Sequence, residues 1–172
     1  MNILPVLRTF DPAGFTGEKV SAWLGPFAGN GQSGEPYVNL QESRLERINW
    51  EMVHFESALQ SEPKEYTISA EKKRARLKLA RRTILGGASC QPLWENYEKE
   101  GCESMLEKLR ARGICSILFL GQPMLGWLGS MPRRYYLQLS YDGKAWKKGI
   151  VWEMDSFNGD CWVVATLPRD YR

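Results

Sequence analysis

The sequence predicts an α+β fold, with an irregular start, about three helices and then a mainly antiparallel sheet of about four strands. Two observations carry this prediction. Apolar residues recur at helical spacing through the middle of the chain, and near its end they alternate with polar residues around an Asp-Gly pair. The 172 residues, 43% of them hydrophobic, suit a single domain. Its parts are residues 1–42 (irregular), 43–113 (helical) and 114–172 (sheet).

The irregular part is rich in proline and glycine, which interrupt regular elements. Its densest stretch is AGNGQSGEP at residues 28–36. This stretch matches neither the GxGxxG pattern of dinucleotide-binding loops nor the GxxxxGK pattern of phosphate-binding loops. We therefore expect no cofactor here, and no other segment implies a small-molecule cofactor.

The first predicted helix starts at a capping box, Ser43-Arg44-Leu45-Glu46, whose serine and glutamate side chains satisfy free backbone amides. The apolar stripe that follows has spacings of 3, 4, 3 and 4 and consists of Leu45, Ile48, Met52, Phe55 and Leu59. His54, the only histidine, lies about 180° from Leu45 around this helix. We therefore expect the histidine on the outer face.

A second helix is predicted over residues 69–84, with Ser69 as its first cap and Gly86-Gly87 as its stop. It contains KKRARLKLARR, which places seven cations in residues 72–82 of a chain whose net charge is +3. Lys and Arg supply most contacts to phosphates, so this helix is the candidate nucleic-acid surface. The contacts that we assign to it are Arg74, Arg76, Lys78, Arg81 and Arg82.

An acidic stretch precedes the basic helix. Residues 31–70 carry 7 negative and 3 positive side chains, whereas residues 71–90 carry 1 negative and 7 positive ones. Two further interpretations of the basic helix therefore stay open. Its cations either pair with these carboxylates and with solvent, or they bind an acidic protein.

The third helical region runs from Pro92 to Gly113, with a break expected at Gly101, and it leads into a buried strand at residues 114–120. Residues 121–134 then predict a connection punctuated by glycine and proline. Exposed apolar side chains in such a loop favour protein contacts, as in an inhibitor, an immunity protein or an adaptor. The candidate protein-binding residues are Met124, Leu125, Trp127 and Leu128.

A hairpin follows, with Asp142-Gly143 as its turn. Strand alternation places a carboxylate, two cations and a tyrosine on one polar sheet face. These side chains are Arg134, Tyr136, Lys147 and Glu153. The set suits a metal-independent ribonuclease, with Glu153 as general base and the cations on the phosphate. Surface ion pairs on an ordinary amphipathic sheet are the structural alternative.

The predicted order of elements, helices before an antiparallel sheet, resembles that of small microbial ribonucleases and bacterial mRNA-cleaving toxins. The sheet histidine expected in such enzymes is absent from this chain, because the only histidine is in the first predicted helix. The resemblance implies an α+β architecture, and fold alone does not imply activity.

We expect no metal site. The four cysteines form no CxxC pair, and the chain has one histidine. Glu153, Asp155 and Asp160 have oxygen ligands that suit magnesium or calcium, but turn preference explains the last two. No apolar run reaches the roughly 20 residues of a membrane helix, and no signal segment begins the chain. We therefore expect a cytoplasmic protein with no membrane partner.

The leading prediction is a small binding protein that contacts nucleic acid, or a complex that handles nucleic acid, through the basic helix. Protein binding through the apolar loop Met124–Met131 is the first alternative, and ribonuclease activity on the polar sheet face is the second. Binding is favoured over catalysis because neither GxSxG nor another nucleophile motif occurs.

Overall fold

The structure, a computed structural model, describes most of the chain after residue 45 and two short strands before it. The described residues are 3–5, 32–34, 45, 47–59, 65–128, 131–158 and 162–171. They form an α+β fold, as predicted, in which helices cover both faces of a mixed sheet. Among these residues, no helix has both the length and the apolar character needed to cross a membrane.

The described part of the chain contains α1 (Ala70–Leu79), α2 (Gly87–Glu100) and α3 (Met105–Ala111). A 3-10 turn, Gly101–Glu103, separates α2 from α3, so the predicted break at Gly101 is confirmed. The described strands are β1 (Ile3–Pro5), β2 (Gln32–Gly34), β3 (Arg47–Asn49), β4 (His54–Glu56), β5 (Thr67–Ser69), β6 (Thr83–Ile84), β7 (Ser116–Leu128), β8 (Met131–Tyr141), β9 (Trp146–Trp152), β10 (Ser156–Asn158) and β11 (Val163–Leu167).

The main sheet has the strand order β4-β11-β7-β8-β9, with β2 added to β7 and β6 added to β11. Strands β7 and β11 run parallel, and the other described pairs are antiparallel. The sheet is therefore mixed, and it has more strands than predicted. The difference arises because short segments from the predicted irregular and helical parts also join it.

Side chains alternate between two cores along the central strands, as the period of two requires. From β7, Ile117 and Phe119 join one buried cluster with residues of α2 and α3, whereas Leu118 and Leu120 join a second cluster with residues of α1. The middle of the polar sheet face that we predicted as a working surface is therefore covered, whereas Arg134 and Lys147 on that face are exposed. Tyr136, at the middle of that face, is 2% exposed.

The helix predicted over residues 43–59 is wrong. Its residues instead supply β3, which pairs with β1, and β4, which pairs with β11. Between these strands, the Asn49 side chain accepts a hydrogen bond from the Glu51 amide at 3.1 Å and supports a turn. Met52, predicted in the core, is 49% exposed, whereas Trp50, which is not part of the predicted apolar stripe, is 1% exposed. Pairing with distant strands outweighs the local helical spacing. Most of the predicted capping box lies outside the described residues.

Two interactions hold helix α1 in place, a cap at its start and a buried lysine. Ser69 is its N-cap, as predicted, and the hydroxyl accepts a hydrogen bond from the Lys72 amide at 3.2 Å. Lys73 is fully buried, and its Nζ donates to the carbonyl oxygen of Ser57 and, at 2.9 Å, to that of Trp162. One ammonium group therefore joins the helix to two segments that are distant in sequence.

The end of α1 differs from the prediction, which placed it at Gly86-Gly87. The helix stops at Leu79, and Gly86 instead precedes α2. Arg81 makes the stop, because its φ of 56° is left-handed and the next amide, that of Arg82, donates to Leu77 O at 3.0 Å. Glycine usually takes this position because it has no Cβ. With arginine there, the sequence carries no local signal for the helix end.

The hairpin between β8 and β9 is confirmed, but its loop spans residues 142–145 instead of Asp142-Gly143 alone. Ser140 therefore pairs with Lys147, not with Ala145 as a two-residue turn requires. A register shift of two residues leaves each side chain on its predicted face, because strand side chains alternate with a period of two.

We predict that Lys73→Met costs about 2 kcal/mol or more of unfolding free energy, because it removes the ammonium that donates to two partly buried carbonyl oxygens. The neighbouring Lys72→Met serves as the control. Lys72 is exposed and lies 3.3 Å from a carboxylate oxygen of Glu65, so its loss should cost at most about 1 kcal/mol. Urea unfolding of the two variants measures the difference, and equal costs would refute the anchoring role of Lys73.

We also predict that Arg81→Gly stabilises the protein by about 1 kcal/mol, because glycine adopts the left-handed conformation without strain. Arg81→Ala removes the same charge and keeps a Cβ, so it should bring no such gain. Thermal and urea unfolding compare the two variants. If both changed stability equally, charge and not backbone strain would be responsible.

Candidate nucleic-acid interface

Carboxylates neutralise one flank of α1. Arg76 forms a two-point pair with Glu65, with one bond of 2.8 Å, and Lys72 reaches the same carboxylate at 3.3 Å. This hydrogen bonding raises the pKa of Arg76 above its ordinary value. Arg82 Nε lies 2.8 Å from a carboxylate oxygen of Glu56. The acidic stretch before the helix therefore reaches three of the seven cations.

Arg74 lies on the opposite flank and contacts the sheet. Its Nε donates a hydrogen bond to Leu120 O at 2.8 Å, and its guanidinium carbon lies 6.0 Å from the centre of the Tyr136 ring. The side chain is half-buried. Its position is therefore fixed between α1 and β8, at the edge of the second core.

Arg74, Lys78 and Arg134 gather positive charge where α1 meets β8. Arg74 and Lys78 are four residues apart and so neighbour each other on the helix surface, while Arg134 belongs to β8. Burial, followed by the charges of Arg74 and Arg134, lowers the pKa of the Lys78 ammonium. These like charges therefore lie close enough together to repel one another.

Arg81 is the next cation after Lys78 along the chain and lies two residues past the end of α1. It is exposed and forms no ion pair with any residue in the described part of the chain. We call Arg74, Lys78, Arg81 and Arg134 the cationic face. Three of them are among the predicted nucleic-acid contacts; the other two, Arg76 and Arg82, are held in the ion pairs with Glu65 and Glu56.

Arg134 was expected elsewhere, in the predicted ribonuclease set, and the structure divides that set. The Glu153 amide donates to Arg134 O at 2.9 Å, so these two residues face each other across the strands. Lys147 lies on β9, six residues before Glu153, which directly follows that strand, so the two are roughly 20 Å apart. Lys147 instead lies 3.8 Å from Asp142. Tyr136 is buried, and this burial is the main cause of its raised pKa. Glu153, Arg134 and Lys147 therefore cannot act on one phosphate.

Two further predictions concern a metal site and the position of the only histidine. Within the ranges given for the structure, no three His, Cys, Asp or Glu side chains are grouped as metal ligands would be. Asp160 of the acidic constellation lies outside the described residues. His54 is exposed, as expected, but it belongs to β4 and not to a helix.

The candidate protein-binding residues were predicted to lie in a loop, and that structural prediction is wrong. Its residues Met124, Leu125, Trp127 and Leu128 belong to the second half of β7. Their backbone pairs with β8 on one side, and residues 124–126 also pair with β2 on the other. Glycine and proline suggested a connection, but an added strand on each side supplies regular pairing. Protein binding by these residues stays a prediction.

A pocket of about 450 Å³ opens on the α1 side of the sheet, next to Tyr136. Its walls include Gln138, Phe157 and Trp162, with Asp155 and Ser156 beside them. Strand alternation puts Gln138 on the same face as Tyr136 but does not reveal the pocket. No local signal reveals it, because β8 and the segment around β10 meet only in the folded chain.

No protein-family model matches this chain. Neither a curated protein nor a solved structure matches it either. The chemistry and geometry of the chain itself therefore carry the functional inference.

Proposed function

We propose that the protein binds nucleic acid by contacting phosphates with the cationic face. The observation that carries this proposal is the convergence of Arg74, Lys78 and Arg134, from a helix and a strand, at one place on the surface. Phosphate contacts are made mainly by lysine and arginine side chains. A rigid support that presents several of them together suits a nucleic-acid backbone.

The division of charge along α1 supports the same conclusion. Arg76 and Arg82 are neutralised by Glu65 and Glu56, which lie on the other flank. The positive field of the helix is thereby concentrated on the flank that faces Arg134. The asymmetry has no role in a basic helix that only contacts solvent. It would strengthen the electrostatic attraction of a phosphate that binds at the positively charged side.

The cationic face also carries a cost in stability. Burial, together with two nearby like charges, lowers the pKa of Lys78, and Arg81 holds a left-handed conformation that glycine would adopt more easily. Strained backbone and perturbed pKa values are found more often at functional sites than elsewhere. Both costs fall on residues of one surface, which favours a binding role for that surface.

We predict that replacing both Lys78 and Arg134 with glutamine weakens binding to single-stranded RNA or DNA several-fold near 50 mM salt. Each lost phosphate contact should also flatten the slope of log affinity against log salt by about 0.7. Fluorescence anisotropy of a labelled oligonucleotide across a salt series measures both effects.

Lys108→Gln is the matched control, because Lys108 is an exposed cation on α3, whose buried residues pack on the other face of the sheet. The affinity of the Lys108 variant, and the slope of its log affinity against log salt, should equal those of the unmodified protein. No binding near 50 mM salt would refute the proposal, since nonspecific phosphate attraction is strong there. An equal loss in the Lys108 variant would show that only total charge matters.

We further predict that Lys78→Gln raises stability at neutral pH by roughly 0.2–0.5 kcal/mol, the size of a like-charge pair one helical turn apart. The sign follows from linkage. Because the folded pKa of Lys78 is lowered, the unmodified protein gains stability as pH rises from that pKa towards the ordinary value. The advantage of the variant should therefore shrink at high pH. Urea unfolding at several pH values measures it, and an advantage independent of pH would exclude charge repulsion as its cause.

A further inference from the structure

The pocket next to Tyr136 has an aromatic wall. The rings of Phe157 and Trp162 lie 4.8 Å apart at 36° to each other. Phe157 is buried in the core, whereas Trp162 is partly exposed. The backbone of Trp162 is fixed by the hydrogen bond from buried Lys73 at 2.9 Å. A flat ring is thus held on a rigid support at the edge of a cavity.

The pocket is also lined by a side-chain amide that no described residue engages. Gln138 is 7% exposed, lines the pocket, and makes no side-chain hydrogen bond with any residue that the structure describes. Gly149, which pairs with it on β9, has no side chain to cover the amide. The donor and acceptor of this amide, which no described residue engages, suit a ligand with the complementary pair.

A carboxylate stands beside this amide. One oxygen of Asp155 accepts a hydrogen bond from the Trp152 amide at 2.8 Å, and the other accepts none from the described residues. A carboxylate accepts N–H donors and repels phosphate. The pocket therefore suits a neutral planar group that carries N–H donors, not an anion.

We infer that this pocket binds an unpaired nucleobase, stacked on Trp162 and hydrogen-bonded by Gln138 and Asp155. Every base offers a flat ring, and its edge carries N–H donors and acceptors of the kind these side chains match. The inference rests on the proposed function, because the cationic face would hold the adjoining phosphates. Arg134 and Gln138 lie on one sheet face four residues apart, about 13 Å, which a short single strand can span.

The test compares a labelled single-stranded 12-mer with an abasic 12-mer of the same length, which keeps the phosphates and lacks the bases. We expect the strand with bases to bind the unmodified protein about tenfold more tightly, as stacking of one base allows. Trp162→Leu, Gln138→Leu and Asp155→Asn should each reduce that ratio towards one. Affinity for the abasic strand should stay unchanged, which also shows that the variants are folded. Lys78→Gln should weaken binding of both strands and leave their ratio unchanged.

The outcomes separate the two proposals. Equal binding of both strands by the unmodified protein, or an unchanged ratio in all three pocket variants, overturns the nucleobase inference while phosphate binding stands. If neither strand binds, the proposed function fails, and titration with the four nucleoside monophosphates decides the pocket alone. Saturable binding that Gln138→Leu abolishes would then support a free nucleotide as the source of the base. No binding of any monophosphate would overturn the inference.

Discussion

The buried ammonium of Lys73 is the interaction on which the candidate site depends. Burying a charge is expensive, and the cost is offset here by hydrogen bonds to the carbonyl oxygens of Ser57 and Trp162. Those residues lie far apart in sequence, one before α1 and one near the end of the described chain. Their shared donor fixes α1 on the sheet, orients the cationic face, and holds the backbone of the aromatic ring in the pocket wall. Loss of this single group would disturb all three.

Charge is distributed around α1 in a way that composition does not reveal. Glu56 and Glu65 neutralise one flank, and β8 adds Arg134 to the other. The outcome combines two of the interpretations left open by the sequence, since the helix is acid-paired on one side and concentrated in charge on the other. Under the proposed function, an electrostatic field of this kind would attract phosphate to a defined place instead of to the whole helix.

The cationic face and the pocket are complementary in chemistry. The first presents donors and positive charge, which suit phosphate, whereas the second presents a ring, an amide and a carboxylate, which suit a base. Tyr136 lies between them, buried beneath Arg74, and so acts as a packing residue and not as a solvent-exposed acid. Phosphate contacts give affinity without sequence information, while base contacts discriminate. The two surfaces together would favour a single strand, whose bases are free.

The sequence by itself determined the features that depend on a few neighbouring residues. These are the α+β class, the cap at Ser69, the break at Gly101, the apolar strand after residue 114 and the hairpin around Asp142. Only the tertiary structure decided the strands in residues 47–56, the ion pairs of α1 and the meeting of Arg134 with Lys78. Local capping and strand alternation are encoded within a few residues of the chain. Strand pairing and charge pairing are decided between residues far apart in sequence, so the same local pattern is compatible with several outcomes.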